Sequence, residues 1–237
     1  TFRMTSEICE FISEEFYEAK LNSHDICNQR NLGKDDNGLR WVPVQHHEDR
    51  VGHSIEEANM ILAIVKYHLG KTIVGIDPQT NEEIIRTVNP LDFKIVTPYN
   101  AQKFLIRNTL THAGIGEIDE LVASEMVGTV DKFQGQEAPI AIISMTSSDS
   151  DSLPRNKEFF FNRNRLNVAI SRAQVVSIIL FNPNLASKTI GIQIKTQEII
   201  KILEDLGFKI KKKSKVLSVE IPSWRPDIYD QIDLVEE

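Results

Sequence analysis

The chain has 237 residues, of which 41% are hydrophobic and 26% charged, enough to bury one large α/β core with or without an appendage. Its formal net charge of -7 argues against a protein that coats nucleic acid indiscriminately, because nonspecific binding depends largely on cationic contacts to phosphate. Cys9 and Cys27 are too few for a disulfide framework or a metal-ligand set. Without a signal peptide or an apolar run of transmembrane length, we expect a reducing, cytoplasmic location and no membrane partner.

The first third of the chain predicts two helices separated by a loop. Apolar residues at helical spacing follow Thr5 and Ser6, which are capping candidates. Residues 22 to 38 are rich in Asn, Asp and Gly and predict a surface loop. The pair Ser54-x-x-Glu57 predicts a capping box that opens the second helix, and residues 70 to 78 predict a turn after it.

Short apolar runs predict the strands of a buried parallel sheet. They are residues 39 to 44, 93 to 97, 126 to 130, 140 to 145 and 175 to 181. Because helical segments separate most of these runs, we expect an α/β fold with a doubly wound, mostly parallel sheet. We place this domain at residues 1 to 208. Residues 209 to 237, with a lysine run and a strand-like segment at 216 to 221, form a tail of unknown role.

Two polar blocks interrupt the last apolar runs. Residues 128 to 137 (GTVDKFQGQE) place hydroxyl, carboxylate and amide groups at a strand end, where α/β sheets bind ligands. Residues 164 to 173 (NRLNVAISRA) present Arg165 and Arg172 about two helical turns apart, so we expect both guanidinium groups on one helix face. Such a face suits phosphate.

These blocks resemble motifs V and VI of superfamily 1 helicases, most closely the Upf-type branch and the helicases fused to a RecB-like nuclease. Residues 1 to 5 (TFRMT) resemble motif IIIa and residues 95 to 102 (IVTPYNAQ) resemble motif IV, in the family's order. The resemblance covers roughly the first four-fifths of the chain. It implies a RecA-like P-loop NTPase fold, here the second helicase domain without its own P-loop.

The resemblance also implies roles at an ATP site. Arg3 and Arg172 would be the catalytic residues, as arginine fingers on the transferring phosphate. Phe2 stands where the family usually has Tyr, and its ring keeps a face that can stack on adenine. The cofactor would be ATP with Mg²⁺, and the magnesium ligands would lie on an N-terminal RecA-like domain of the same polypeptide, the expected partner.

Further nucleotide contacts are expected from the two blocks. Gln134, Gly135 and Glu137 would lie at the nucleotide cleft, with Glu137 near the ribose and Gly135 allowing close approach of the backbone. Arg165 would add a cation for phosphate. The alternative for the first three residues is an ordinary capped turn.

Motif IV and the start of motif V imply contacts to single-stranded nucleic acid, with DNA favoured over RNA. Thr97, Asn100 and Thr129 could hydrogen-bond phosphate oxygens without reading bases. The alternative for each is a local cap. Tyr99 could stack on a base or pack under the loop.

Three other patterns favour structural interpretations. Gly70-Lys71-Thr72 is similar to the end of a P-loop, but Val65 occupies the position of the first glycine, so we expect a helix terminus and turn. Asp119-Glu120 is interpreted as a loop or helix start rather than a Walker B pair. His46, His47 and His53 lack ligand spacing and predict a solvated loop, so no metal site is expected.

Two functions from different classes follow. The first is the C-terminal motor domain of an ATP-dependent DNA or RNA helicase, inactive in isolation because Walker A and B are missing. The second is a nucleic-acid-binding or regulatory module without ATP turnover. The motif residues Arg3, Gln134, Glu137 and Arg172 favour the first. A fused RecB-like nuclease partner is also implied by the resemblance, but no acidic-Lys cluster indicates one within these residues.

Overall fold

The computed structural model describes residues 1–33, 36–47, 52–77, 80, 82–115, 117–147, 163–183, 209–213 and 216–220. The chain divides into two compact units, Thr1–Thr189 and Ile190–Glu237. The second unit contains an antiparallel hairpin of Lys209–Lys213 and Val216–Glu220. The predicted boundary between residues 208 and 209 falls inside this unit and stays a prediction.

The described part of the first unit alternates helices and strands. In chain order they are α1 (Ser6–Phe16), β1 (Gly38–Pro43), α2 (Ile55–His68), β2 (Thr72–Ile76), β3 (Glu83–Thr87), β4 (Phe93–Val96), α3 (Asn100–His112), α4 (Glu120–Met126), β5 (Val127–Gly128), β6 (Ala138–Ser144), α5 (Arg163–Ile170) and β7 (Ala173–Phe181). Two short 3₁₀ helices, Asp25–Gln29 and Pro90–Asp92, complete the set.

A five-stranded sheet with the order β1-β7-β6-β4-β5 forms the centre of this unit. Every neighbouring pair in it is parallel. All residues of β4 and β6 are buried, as expected for strands covered on both faces. The predicted α/β fold with a mostly parallel sheet is confirmed.

Helices cover both faces of the sheet. On one face, Ile61 of α2 and Ile106 of α3 pack in the same core cluster as Ile95 of β4. On the other face, Ile8 of α1 and Ala169 and Ile170 of α5 pack in the cluster that holds Val96 of β4. Adjacent residues of β4 thus point to opposite cores, which is the doubly wound arrangement.

Two predictions about the connections are wrong. Residues 70 to 78 are not a simple turn, because β2 pairs with β3 as an antiparallel hairpin. The sequence of β3, EIIRT, does not alternate apolar and polar residues as a half-buried strand would. All five residues are exposed, so burial imposes no such pattern on them. The loop predicted at residues 22 to 38 contains the 3₁₀ helix Asp25–Gln29, in which Cys27 is completely buried.

No helix in the described residues is long and apolar enough to span a bilayer.

Candidate functional site

Arg3 and Glu137, which are 134 residues apart in the chain, meet in an ion pair. Arg3 Nε donates to Glu137 Oε2 at 2.9 Å, and Gln174 Nε2 donates to Glu137 Oε1 at 2.7 Å. The N–H of Thr5 donates to the carbonyl of Gln174 at 2.9 Å and so fixes the N-terminal loop to the start of β7. The structure therefore brings motif IIIa beside motif V at the amino ends of β6 and β7.

Arg172 belongs to the same cluster but lies deeper. Its residue exposure is 7%, and three backbone carbonyls accept from it. Nε donates to the carbonyl of Val168 at 2.8 Å, and Nη1 donates to the carbonyls of Phe133 at 3.2 Å and Gln136 at 3.0 Å. Arg172 thus holds the turn that contains Gln134 and Gly135.

The remaining nitrogen of Arg172 is available. Within the described residues, Nη2 has no hydrogen-bond partner. Burial lowers the pKa of the Arg172 guanidinium, the charge of Arg3 lowers it further, and Glu137 opposes both. An arginine stays protonated at neutral pH even so. The site therefore has two cations against one carboxylate, which favours an anionic ligand.

The expected arrangement of Arg165 and Arg172 is wrong. Helix α5 ends at Ile170, and Arg172 lies in the following turn, buried against the 133–136 turn. Arg165 is exposed on the helix. The two arginines do not share one helix face, because the helix ends before Arg172 and β7 begins at Ala173.

The turn that Arg172 holds presents its polar residues to solvent. Gln134 and Glu137 are exposed, and Gly135 has a φ of 81°. A Cβ added at Gly135 would meet no atom within 4 Å, so its backbone conformation, and not crowding, requires glycine there. The close approach of a ligand to Gly135 stays a prediction.

Phe2 forms an exposed aromatic surface beside this cluster. Its residue exposure is 69%, and its ring stacks on His24 with centroids 4.3 Å apart and an interplanar angle of 24°. Arg30 donates to the carbonyls of both Phe2 and Arg3, which fixes the loop in place. Sequence reasoning missed His24 and Arg30 because both lie in the segment predicted as a loop and carry no motif.

The residues predicted to contact nucleic acid lie at the opposite, carboxyl edge of the sheet. Thr129 follows β5 and is half-buried, and Asn100 is exposed at the start of α3, where its Oδ1 accepts from Lys103 Nζ at 2.7 Å. Thr97 is completely buried, and its hydroxyl lies 3.3 Å from that of Thr146. The string from Thr129 to Glu137 was expected at one strand end. It instead connects the carboxyl end of β5 to the amino end of β6.

Tyr99 lies in the loop between β4 and α3. Its side chain is half-buried beside Gly52, where an added Cβ would lie 3.8 Å from the ring. Burial raises the pKa of the Tyr99 hydroxyl. These contacts favour the packing interpretation, and stacking on a base remains untested.

Cations surround the end of α4 next to Thr129, and sequence reasoning missed them. Arg107 Nη2 donates to the carbonyls of Val127 at 2.7 Å and Ser124 at 3.3 Å, and Lys132 Nζ also donates to the carbonyl of Ser124. Cations at this position stabilise the carboxyl end of the helix, which carries partial negative charge. Burial lowers the pKa of Lys132, and Arg107 lowers it further. The carboxyl edge therefore carries positive charge near the predicted phosphate contacts.

A buried polar network lies between α2 and this carboxyl edge. The capping box is only half present, because the Ser54 hydroxyl accepts from the Glu57 N–H at 3.1 Å while the Glu57 side chain turns into the core. Glu57 Oε1 lies 3.1 Å from His46 Nε2, and both side chains are completely buried. The prediction of a solvated loop is thus wrong for His46. A carboxylate at a helix start gives no sequence signal that it is buried.

Lys71 does not belong to a phosphate loop. Gly70 has a φ of 77° just after α2, and Lys71 Nζ lies 2.9 Å from Asp36 Oδ2 and 3.2 Å from the ring centroid of Tyr67. Asp119 is the N-cap of α4, where its Oδ1 accepts from the Val122 N–H at 2.8 Å. The helix end expected at Gly70 and the helix start expected at Asp119 are confirmed. In the described residues, no three His, Cys, Asp or Glu side chains form a metal-binding group.

Comparison with known families assigns most of the chain to one family. A family model described as an AAA domain matches residues 1–184, which include both clusters. The chain belongs to this family. A second model, described as a tRNA synthetase B5 domain, matches residues 179–237, too small a share of the chain to assign membership.

Curated relatives narrow the assignment. The mouse 3'-5' exoribonuclease HELZ2 is 29% identical over 76% of this chain and 6% of its own length. The Neurospora crassa regulator of nonsense transcripts 1 homolog is 27% identical over 79% of this chain and 16% of its own. An uncharacterized ATP-dependent helicase from Methanocaldococcus jannaschii is 28% identical over 78% of this chain and 26% of its own. The chain is thus an Upf-type superfamily 1 helicase domain and spans only a minor part of these relatives.

Proposed function

We propose that this chain is the second RecA-like motor domain of an ATP-dependent helicase. Its amino edge would supply half of an ATP site, and its carboxyl edge would supply half of a single-strand site. The observation that carries the proposal is the convergence of Arg3, Glu137 and Arg172, from three distant motifs, with Nη2 of Arg172 left for a ligand. An N-terminal RecA-like domain of the same polypeptide would complete both sites, and a fused RecB-like nuclease stays a prediction.

At the amino edge, the described residues fit a nucleotide. The open face of Phe2, backed by His24, offers a surface for adenine. Arg172 Nη2 and the η nitrogens of Arg3 would face the terminal phosphate, where a planar fork can bind two oxygens. Glu137 orients Arg3 through Nε and is itself oriented by Gln174. Arg172 lies near the end of motif VI and contacts the turn of residues 133–136 beside Arg3 and Glu137. We therefore assign Arg172 the arginine-finger role.

We assign no magnesium ligand to the described residues. The described residues contain no cluster of three His, Cys, Asp or Glu side chains, so we assign no step to a metal here. Its ligands are proposed on the N-terminal RecA-like domain. This chain would supply positive charge that stabilises the transition state of ATP hydrolysis.

At the carboxyl edge, the proposed contacts run along the sugar-phosphate backbone. The Thr129 hydroxyl and the Asn100 amide nitrogen would donate to phosphate oxygens, and Lys103 and Lys132 would supply charge. Thr97 is buried and would support them from below. The preference for DNA over RNA stays a prediction, and the mouse relative's name, an exoribonuclease, refers to RNA for that protein.

The strand site is tested by replacing Asn100 and Thr129 with alanine together in the full-length protein. We expect single-strand affinity to fall by about tenfold, equally for oligonucleotides of different base sequence, because phosphate contacts carry little sequence information. Fluorescence anisotropy with labelled DNA and RNA single strands measures the loss and tests the DNA preference.

The matched control is Thr109→Ala together with Asn108→Ala. These residues carry the same chemical groups, lie later in α3, and do not belong to the carboxyl edge. This control should bind strands normally. Normal strand affinity in the Asn100 and Thr129 variant, with an unchanged melting temperature, would remove the carboxyl edge from the proposal.

A further inference from the structure

The Glu57 carboxylate is the centre of the buried network beneath the carboxyl edge. Both of its oxygens accept from the backbone N–H of Thr146 at 3.0 Å, and the Ser144 hydroxyl donates to Oε2 at 2.6 Å. His46 Nε2 approaches Oε1 at 3.1 Å. Glu57, Ser144 and Thr146 have no solvent exposure, so every contact of this carboxylate is made by protein. A buried carboxylate of this kind is costly unless its partners hold it in one geometry.

The turn that Glu57 binds is strained. Thr146 has a φ of 69°, in the left-handed region, which a β-branched residue adopts only when its surroundings impose it. The Thr146 N–H donates to both oxygens of Glu57, and these hydrogen bonds hold Thr146 in this conformation. The next residue, Ser147, is also completely buried. The strained turn is therefore enclosed by protein immediately after β6.

The network extends from this turn to the end of β4. The Thr146 hydroxyl lies 3.2 Å from the carbonyl of Ser144 and 3.3 Å from the Thr97 hydroxyl, and either hydroxyl of the second pair can be the donor. Side chains thereby join the ends of β4 and β6.

The network also fixes the start of α3. Gln102 Nε2 donates to the Ser144 hydroxyl and to the carbonyl of Ser54, each at 3.1 Å, and its Oε1 accepts from the Ser54 N–H at 2.7 Å. Gln102 is two residues after Asn100, the proposed strand contact. The orientation of Asn100 is therefore connected to Glu57 through Ser144 and Gln102.

We propose that Glu57 is the positioning residue of the single-strand site: it holds the left-handed turn at Thr146 and, through Ser144 and Gln102, sets the position of Asn100. Glu57 does not touch the strand. This inference rests on the proposed function, because it assigns a role in the same strand site.

The test is Glu57→Gln in the full-length protein. Glutamine keeps the volume but replaces one acceptor oxygen with a donor, which faces groups that already donate. We expect affinity for a labelled single-stranded oligonucleotide to fall by about tenfold, or about 1.4 kcal/mol. In strand-stimulated ATP hydrolysis, the strand concentration for half-maximal rate should rise by a similar factor while the KM for ATP does not.

A second substitution tests the mechanism. Thr146→Gly lets the turn adopt a positive φ without strain, so the turn no longer needs the carboxylate. Added to Glu57→Gln, it should recover strand affinity by about threefold or more, although it gives no gain in the wild-type background. Affinity is measured on the folded fraction of each variant, so a gain in stability alone does not appear as rescue.

A matched control separates positioning from stability. Ile61 lies in the same helix, is completely buried, and packs in the apolar core cluster with a side chain that makes no hydrogen bond. Ile61→Ala should lower the unfolding midpoint but leave the strand affinity of the folded protein unchanged. Ser144→Ala removes the hydroxyl that joins Glu57 to Gln102 but leaves the Thr146 N–H on the carboxylate, and it serves if Glu57→Gln does not fold. It should weaken strand binding in the same direction.

The outcomes are distinct. If Glu57→Gln, or Ser144→Ala in its place, lowers the unfolding midpoint like Ile61→Ala but binds strands normally, the inference is overturned and the proposed function stands. Failure of Thr146→Gly to rescue overturns the role of the turn. If the wild-type protein itself binds no single strands, the proposed function fails, and this inference fails with it.

Discussion

Replacing Arg172 with alanine in the full-length protein is expected to reduce the ATP turnover number by about 10³ or more, the range for an arginine finger. The cause is the loss of the Nη2 donor and its charge where negative charge develops on the phosphate. Single-strand affinity should change little, because Arg172 lies at the amino edge of the sheet and the proposed strand contacts lie at the carboxyl edge. Steady-state hydrolysis at saturating ATP and strand measures the effect.

The structure adds a second consequence of the same change. Without Arg172, the carbonyls of Val168, Phe133 and Gln136 each lose a hydrogen bond from a charged donor, which costs up to about 3 kcal/mol per bond. The melting temperature must therefore be measured together with turnover. Arg172→Lys should also fail to restore turnover, because a lysine cannot hold this turn and donate to phosphate through one planar group.

Arg86→Ala is a matched control for this loss of stability. Arg86 Nη1 and Nη2 bind the two oxygens of Asp92 at 2.6 Å, and the Asp92 side chain is 7% exposed. Its removal should lower stability, because a buried carboxylate loses its partner. Turnover should remain normal in the folded fraction. Normal turnover in the Arg172→Ala variant, with strand binding lost instead, would show that the roles assigned to the two edges are wrong.

Replacing Arg3 with alanine should lower turnover by about 10² to 10³, through loss of a second cation at the terminal phosphate. The effect on stability should be small, since the Arg3 and Glu137 side chains are 33% and 40% exposed and a surface ion pair contributes little. This separates Arg3 from Arg172, whose removal affects both quantities.

Gln174→Ala provides a milder comparison. It removes the second hydrogen bond to Glu137 and leaves Arg3 in place, so turnover should fall much less than in Arg3→Ala. If Arg3→Ala raised only the KM for ATP and kept the turnover number, Arg3 would contribute to ground-state binding and would not act on the transition state.

The sheet could be predicted from the sequence because its strands are continuous apolar runs. β4 and β6 are buried along their whole length, and the helices between them carry apolar faces. The β2–β3 hairpin could not be predicted, since β3 is exposed throughout and has neither an apolar run nor an alternating pattern. The helicase motifs could also be identified from the sequence, because each motif is a continuous run of residues.

The candidate site was harder to predict where it depends on contacts between distant residues. Nothing near Glu57 in the sequence indicates that its carboxylate binds Thr146, which is 89 residues away. Likewise, the seven-residue spacing of Arg165 and Arg172 predicted that both lie on one helix face. The helix ends at Ile170, before Arg172, and the Arg172 side chain is buried. Burial of a polar side chain depends on the tertiary partners that satisfy it, and these partners do not appear as a local pattern.

If this chain holds only half of an ATP site, the 237-residue chain should not hydrolyse ATP by itself. Hydrolysis is measured with single-stranded DNA and RNA present, and the Lys71→Ala variant is measured in parallel. We expect no hydrolysis above the buffer rate for either protein, because no P-loop sequence is present and Lys71 is paired with Asp36. Steady hydrolysis by the wild-type chain that the Lys71→Ala change abolishes would contradict this expectation.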